Sequence, residues 1–104
     1  MKLNADYLHL LCCTYTEGRS GCAQSVYWWA MDEETGEMRY CSTSWSEEHD
    51  LPVPRLFDCE AEMNCDIATD LKLGANFDVM DGDHADFYRR QVIESLEYLP
   101  VSAD

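Results

Sequence analysis

Residues 25–44 read SVYWWAM, DEETGE, MRYCSTS: two runs rich in aromatic and β-favouring side chains around a polar hexapeptide. Gly36, in Asp32-Glu33-Glu34-Thr35-Gly36-Glu37, stands where a type I turn closed by a bulge needs a left-handed residue. The spacing predicts a β-hairpin. With Met31 opposite Glu37 or Met38, one face is expected to show Val26, Trp28, Ala30, Met38 and Tyr40, and the other Tyr27, Trp29, Met31 and Cys41. Trp28 and Trp29 then point to opposite faces. A helix must cover one of them, which leaves the other for a second buried layer or for a partner contact.

Outward from the hairpin, YLHLLCCTYT at residues 7–16 reads as a first strand that ends in the turn-rich Glu17-Gly18-Arg19-Ser20-Gly21. His49–Arg55 reads as an extended linker, because Pro52 and Pro54 bias themselves and their predecessors away from helix. Asn76–Met80 alternates like a short edge strand between Gly74 and Gly82. Near the end, Ala85, Tyr88, Val92, Leu96 and Leu99 recur at spacings of three and four, which predicts a helix over 84–99, with Asp83 as its N-cap and Pro100 as its stop. Tyr88, Val92 and Leu96 are its expected core contacts. The expected fold class is α+β: one domain spanning residues 1–104, with a small antiparallel sheet of three to four strands packed by the C-terminal helix.

Residues 56–73 fit two templates. As a helix they place Leu56, Cys59, Met63, Ile67 and Leu71 on one stripe and Asp58, Glu62, Asp66 and Asp70 on the stripe beside it. As a strand, Phe57, Cys59, Ala61, Met63, Cys65 and Ile67 alternate with Asp58, Glu60, Glu62, Asn64 and Asp66. Abundant Glu, Ala, Met and Leu, with no β-branched residue before Ile67, favours the helix.

The first residues have no apolar core or cleavage site of an export signal, and no run reaches the roughly 18 apolar residues of a membrane span. A cytoplasmic location is therefore expected. In a reducing cytosol Cys12, Cys13, Cys22, Cys41, Cys59 and Cys65 are expected to be free thiols buried as small hydrophobes. Their spacings lack the paired ligands of a zinc site, and Asp81-Gly82-Asp83-His84-Ala85-Asp86 departs from a calcium loop at its fifth and sixth positions. No cofactor or metal is expected. Neither a nucleophile elbow nor a phosphate-cradling loop occurs, so the chain is read as a non-enzyme.

The 21 Asp and Glu outnumber 7 Lys and Arg for a formal charge of −14, which argues against direct binding of nucleic acid or anionic membranes. Nine of the acids lie between Asp58 and Asp86, where Lys72 is the single base. Whether helix or strand, the segment spaces its carboxylates about 6 Å apart, in the manner of phosphates along a nucleic-acid strand. The plainer alternative is a solvated face that serves solubility.

In its length, its acid excess and the row Asp58 to Asp70, the chain resembles the small phage-encoded inhibitors of bacterial defence. These are the anti-CRISPR and anti-restriction proteins and the DNA-mimicking glycosylase inhibitors. The resemblance is one of class, and it implies a mode of action without a fold. It suggests an inhibitor of a basic nucleic-acid-binding host protein or complex, with Asp58, Glu60, Glu62, Asp66 and Asp70 standing in for phosphates and Trp29 as an aromatic partner contact. The alternative is an acidic adaptor, or a homodimer, built on the aromatic sheet face.

Overall fold

The computed structural model describes residues 1–16, 25–45 and 52–98. Five strands, β1 (Leu3–Tyr15), β2 (Ser25–Asp32), β3 (Met38–Ser44), β4 (Val53–Leu56) and β5 (Asn76–Val79), form one antiparallel sheet in the order β4-β3-β2-β1-β5. Helix α1 (Glu60–Lys72) connects β4 to β5, and α2 (Gly82–Ser95) follows β5 and tightens into a 3-10 turn over Leu96–Tyr98. The class is α+β as expected, but the sheet has five strands. The additional one is β4, which lies in the expected linker. Pro54 is tolerated there because it pairs with Thr43 at a position where the ladder needs no N–H.

The hairpin forms as its sequence suggests. Gly36 adopts φ 74°, and the Asp32 N–H bonds the Glu37 carbonyl at 2.8 Å while the Gly36 N–H bonds the Asp32 carbonyl at 2.7 Å. The buried Asp32 carboxylate organises the turn. It accepts from the backbone N–H of Lys2 and Glu34, from the Thr35 hydroxyl and from Arg39. Burial alone would raise its pKa, yet these donors hold it down at about 2.

Met31 pairs with Met38, and Trp29 with Tyr40. Directly paired residues share a face, so Met38 and Tyr40 join Tyr27, Trp29 and Met31, while Cys41 joins Val26, Trp28 and Ala30. This exchanges the third strand's residues between the expected faces. Strand β1 is longer than expected and irregular. Its register slips between Asn4 and His9 and again between Leu10 and Cys12, which turns both Leu10 and Cys13 toward one core and Cys12 toward the other.

The two helices cover opposite faces. Helix α2 packs Ala85, Tyr88 and Val92 against Leu8, Leu10, Val26, Trp28 and Cys41. Its periodic residues are those expected, although Asp81 rather than Asp83 occupies the N-cap position, without a side-chain cap hydrogen bond. Leu99 lies outside the described residues. A buried polar chain ties this layer together: Trp28 Nε1 donates to Thr43 Oγ1, Thr43 to Ser95 Oγ, and Ser95 to the Val92 carbonyl, at 2.9, 2.9 and 2.6 Å. The order of donors follows from its ends, an indole that only donates and a carbonyl that only accepts.

Helix α1 packs Met63 and Ile67 against Cys12, Tyr27 and Phe57 on the other face. It begins at Glu60, so Leu56 belongs to β4 and Cys59 is its N-cap. Cys12, Cys13 and Cys41 are buried free thiols, but Cys59 and Cys65 are exposed on α1, contrary to the expectation of uniform burial, and Cys22 lies outside the described residues.

Candidate functional site

All of the acidic row but Asp58, which precedes the N-cap, lies on α1, and the structure shows which way it faces. Glu62, Asp66 and Asp70 recur every fourth residue beside the apolar stripe of Met63 and Ile67, so docking that stripe carries them to the edge of the helix–sheet interface, where all three are half-buried. Their partners come from three strands. Tyr27 Oη of β2 lies 2.8 Å from Asp66 Oδ2 and 2.7 Å from Asp70 Oδ2. Thr14 of β1 donates to the same Asp70 oxygen at 2.9 Å, and Arg55 of β4 bonds the other Asp66 oxygen at 2.9 Å.

The Arg55 guanidinium also approaches Glu62 at 3.6 Å and rests 4.8 Å above the centre of the Phe57 ring. The second Glu62 oxygen accepts from the Asp58 backbone N–H. Glu60, in the first turn, is exposed, and its charge acts on the Tyr40 phenol. Of the five acids expected to stand in for phosphates, Glu62, Asp66 and Asp70 are hydrogen-bonded within the chain, whereas the Asp58 and Glu60 carboxylates form no ion pair among the described residues.

The electrostatics follow from this packing. Burial, reinforced by the hydrogen bonds to Asp70 and Asp66, pushes the Tyr27 phenol far above its ordinary range, because the phenolate would form in an apolar layer beside two carboxylates. Burial and the Glu60 charge push the Tyr40 phenol up in the same way. Tyr27 has a single hydroxyl hydrogen for two carboxylate oxygens, so neither acid is held by it alone. Arg55 and Thr14 supply the remaining donors.

Trp29 points to the α1 face, as Tyr27 does, but it is only half-buried, and its ring stacks on His9 at 5.4 Å between centroids with 29° between planes. Trp28, its neighbour, is fully buried under α2. An open cleft of about 310 Å³ lies between the start of β3 and the N-terminal end of α1, with Arg39, Tyr40, Phe57 and Cys59 in its walls. Among the described residues no group of three His, Cys, Asp or Glu is arranged to hold a metal ion.

A second acidic region lies at the junction of β5 and α2, where Asp78, Asp81, Asp83 and Asp86 are all exposed. Asp78 meets His84 at 3.9 Å, and the other three form no ion pair among the described residues. The nearby bases are engaged elsewhere: Arg89 donates to the Leu8 carbonyl and Arg90 pairs with Glu94. The sequence contains the signal for this region, four acids within nine residues, but read as a helix start it looks structural.

No protein-family model matches the chain, and neither a curated protein nor a solved structure is similar to it. No helix among the described residues is long and apolar enough to cross a membrane.

Proposed function

We propose that this protein is a non-enzymatic acidic inhibitor that occupies the nucleic-acid-binding surface of a basic host protein, in the manner of anti-CRISPR or anti-restriction proteins. The observation that carries this reading is how the charge is distributed. Of the six described bases, Lys2, Arg39, Arg55, Arg89 and Arg90 have intramolecular partners and Lys72 forms no ion pair, whereas Asp58, Asp81, Asp83 and Asp86 are exposed and form no ion pair among the described residues. The uncompensated acids, rather than the whole row on α1, are the groups free to meet lysine and arginine. The α1 acids contribute their negative field while their oxygens stay bound to the sheet.

The test uses the immobilised chain, a bacterial lysate at low and high salt, and duplex DNA as competitor. Salt screens charge pairs within about 8 Å at physiological ionic strength, so a mimic loses its partner steeply as salt rises. The expected result is retention of a nucleic-acid-handling protein that both salt and DNA release. Replacing Asp81, Asp83 and Asp86 by Asn should abolish retention, while replacing Glu33, Glu34 and Glu37 by Gln, with equal loss of charge, should not. Retention that ignores salt and DNA overturns the reading. It would favour the adaptor alternative instead, for which the half-buried Trp29–His9 stack, on the same face as α1, is the supporting observation.

A further inference from the structure

The two edges of the sheet are built differently. The Phe57 N–H bonds the Tyr40 carbonyl at 2.9 Å, which makes Tyr40 and Phe57 a hydrogen-bonded pair. Alternation along an antiparallel ladder then turns the backbone groups of Pro54 and Leu56 away from β3, toward the open edge. Pro54 has no N–H to offer there, so β4 is a blunted edge. On the opposite edge the Met80 N–H bonds the Leu11 carbonyl at 3.1 Å. The same alternation assigns hydrogen-bonded pairing with β1 to Asp78 and Asn76 and turns the N–H and C=O groups of Phe77 and Val79 outward.

Among the described residues no proline, lysine or bulge protects this second edge, and the side chains beside its open backbone groups are apolar. Phe77 is 46% and Val79 58% exposed, and both point to the α1 face. Asp78, between them, points to the α2 face and lies 3.9 Å from His84 in the first turn of α2, the helix whose N-terminal end also carries the exposed Asp81, Asp83 and Asp86. Open backbone donors and acceptors, an apolar strip on one face and carboxylates on the other together describe the requirements of an incoming strand.

We propose that β5 is a docking edge for an extended segment of a partner protein in which apolar residues alternate with Lys or Arg, added to the sheet as a sixth strand. Period-two alternation places the apolar residues over Phe77 and Val79 and the basic ones over Asp78 and its acidic neighbours. Charge decides against a second copy of this chain as the occupant, because two molecules of net charge −14 would bring the same Asp-bearing strands together. The proposal does not rest on phosphate mimicry, since such a segment would dock whether or not its owner handles nucleic acid.

The probe is a synthetic peptide of about eight residues alternating Val and Lys, long enough to span a typical strand. A second peptide of identical side chains carries N-methyl groups on the backbone amides that would face β5. Binding is followed by fluorescence anisotropy, by amide chemical shifts and by hydrogen exchange. The first peptide is expected to bind, to shift the Phe77 and Val79 amides and to slow their exchange. N-methylation is expected to weaken binding roughly tenfold or more, the equivalent of one or two lost backbone hydrogen bonds.

Val79→Pro deletes an outward N–H at a position that, like Pro54, needs none for its own ladder. It should weaken binding similarly while circular dichroism reports an intact fold. Equal binding of the two peptides would mean that charge alone attracts them, and would overturn the proposal. So would a chain already dimeric in sedimentation, with the Phe77 and Val79 amides protected before any peptide is added. Failure of the salt and DNA test above leaves these readouts unaffected, so the two ideas fail separately.

Discussion

Tyr27 and Asp70, 43 residues apart in the chain, meet at 2.7 Å across the interface between β2 and α1. The phenol is fully buried and the carboxylate is half-buried. Their contact helps pin a helix whose apolar residues in this core are Met63 and Ile67, so α1 is held by polar groups as well as by apolar area.

Replacing Tyr27 by Phe keeps the ring and removes the hydroxyl. A hydrogen bond to a charged group contributes about 1.5 to 3 kcal/mol, and equilibrium urea unfolding should register a loss in that range. A midpoint equal to that of the wild type would show that Arg55 and Thr14 suffice to hold α1.

The acidic row should respond unevenly to alanine. Removing Asp66 and Asp70 together leaves the buried Tyr27 hydroxyl unpartnered, at a cost of about 1 to 3 kcal/mol. Asp58→Ala, at an exposed site with no side-chain partner among the described residues, should stay within about 0.5 kcal/mol of wild type. Uniform small effects, as for a solvated face relieved of like-charge repulsion, would contradict the docking role of these carboxylates.

The adjacent tryptophans should separate sharply in thermal or urea unfolding. Trp28→Ala opens the core under α2 and cuts the chain of hydrogen bonds through Thr43 to Ser95, for an expected loss of about 3 to 5 kcal/mol. Trp29→Ala removes a half-buried ring stacked on His9 and should cost much less. Equal losses would mean that the α1 face beyond Tyr27 is as tightly packed as the α2 face.

Acid stability should depend on Asp32. Its carboxyl is held at about 2 in the folded chain, against about 3.9 for an unperturbed aspartate. A depressed carboxylate adds stability that is complete above the unfolded value and disappears as pH falls from about 4 toward 2. Asp32→Asn should flatten that acid limb in unfolding curves measured across the window. An unchanged limb would show that the turn network contributes nothing to pH dependence.

The thiols divide by environment. Burial pushes Cys12 and Cys13 up to about 11 and Cys41 up to about 12, whereas Cys59 and Cys65 are exposed. Native-state alkylation read by peptide mass spectrometry should label Cys59 and Cys65 within minutes and reach Cys12, Cys13 and Cys41 only after denaturant is added. Early labelling of Cys41 would contradict the core as described.

The sequence by itself determined what depends on short-range order. Gly36 and its acidic flanks specify the hairpin, the Ala85–Tyr88–Val92 spacing specifies α2, and Asn76–Val79 between two glycines specifies the last strand, because each signal is complete within one element. Long-range pairing decided the rest. Val53–Leu56 could pair as a strand because its register with β3 puts Pro54 where the ladder needs no N–H, and the faces of the hairpin depended on a register in which one residue's shift exchanges β3's side chains between layers. The acids at 62, 66 and 70 look the same in sequence whether they face solvent or sheet. Their direction depended on Tyr27, Thr14 and Arg55, donors on three other strands that come within hydrogen-bonding distance only when the sheet has formed and α1 has docked on it.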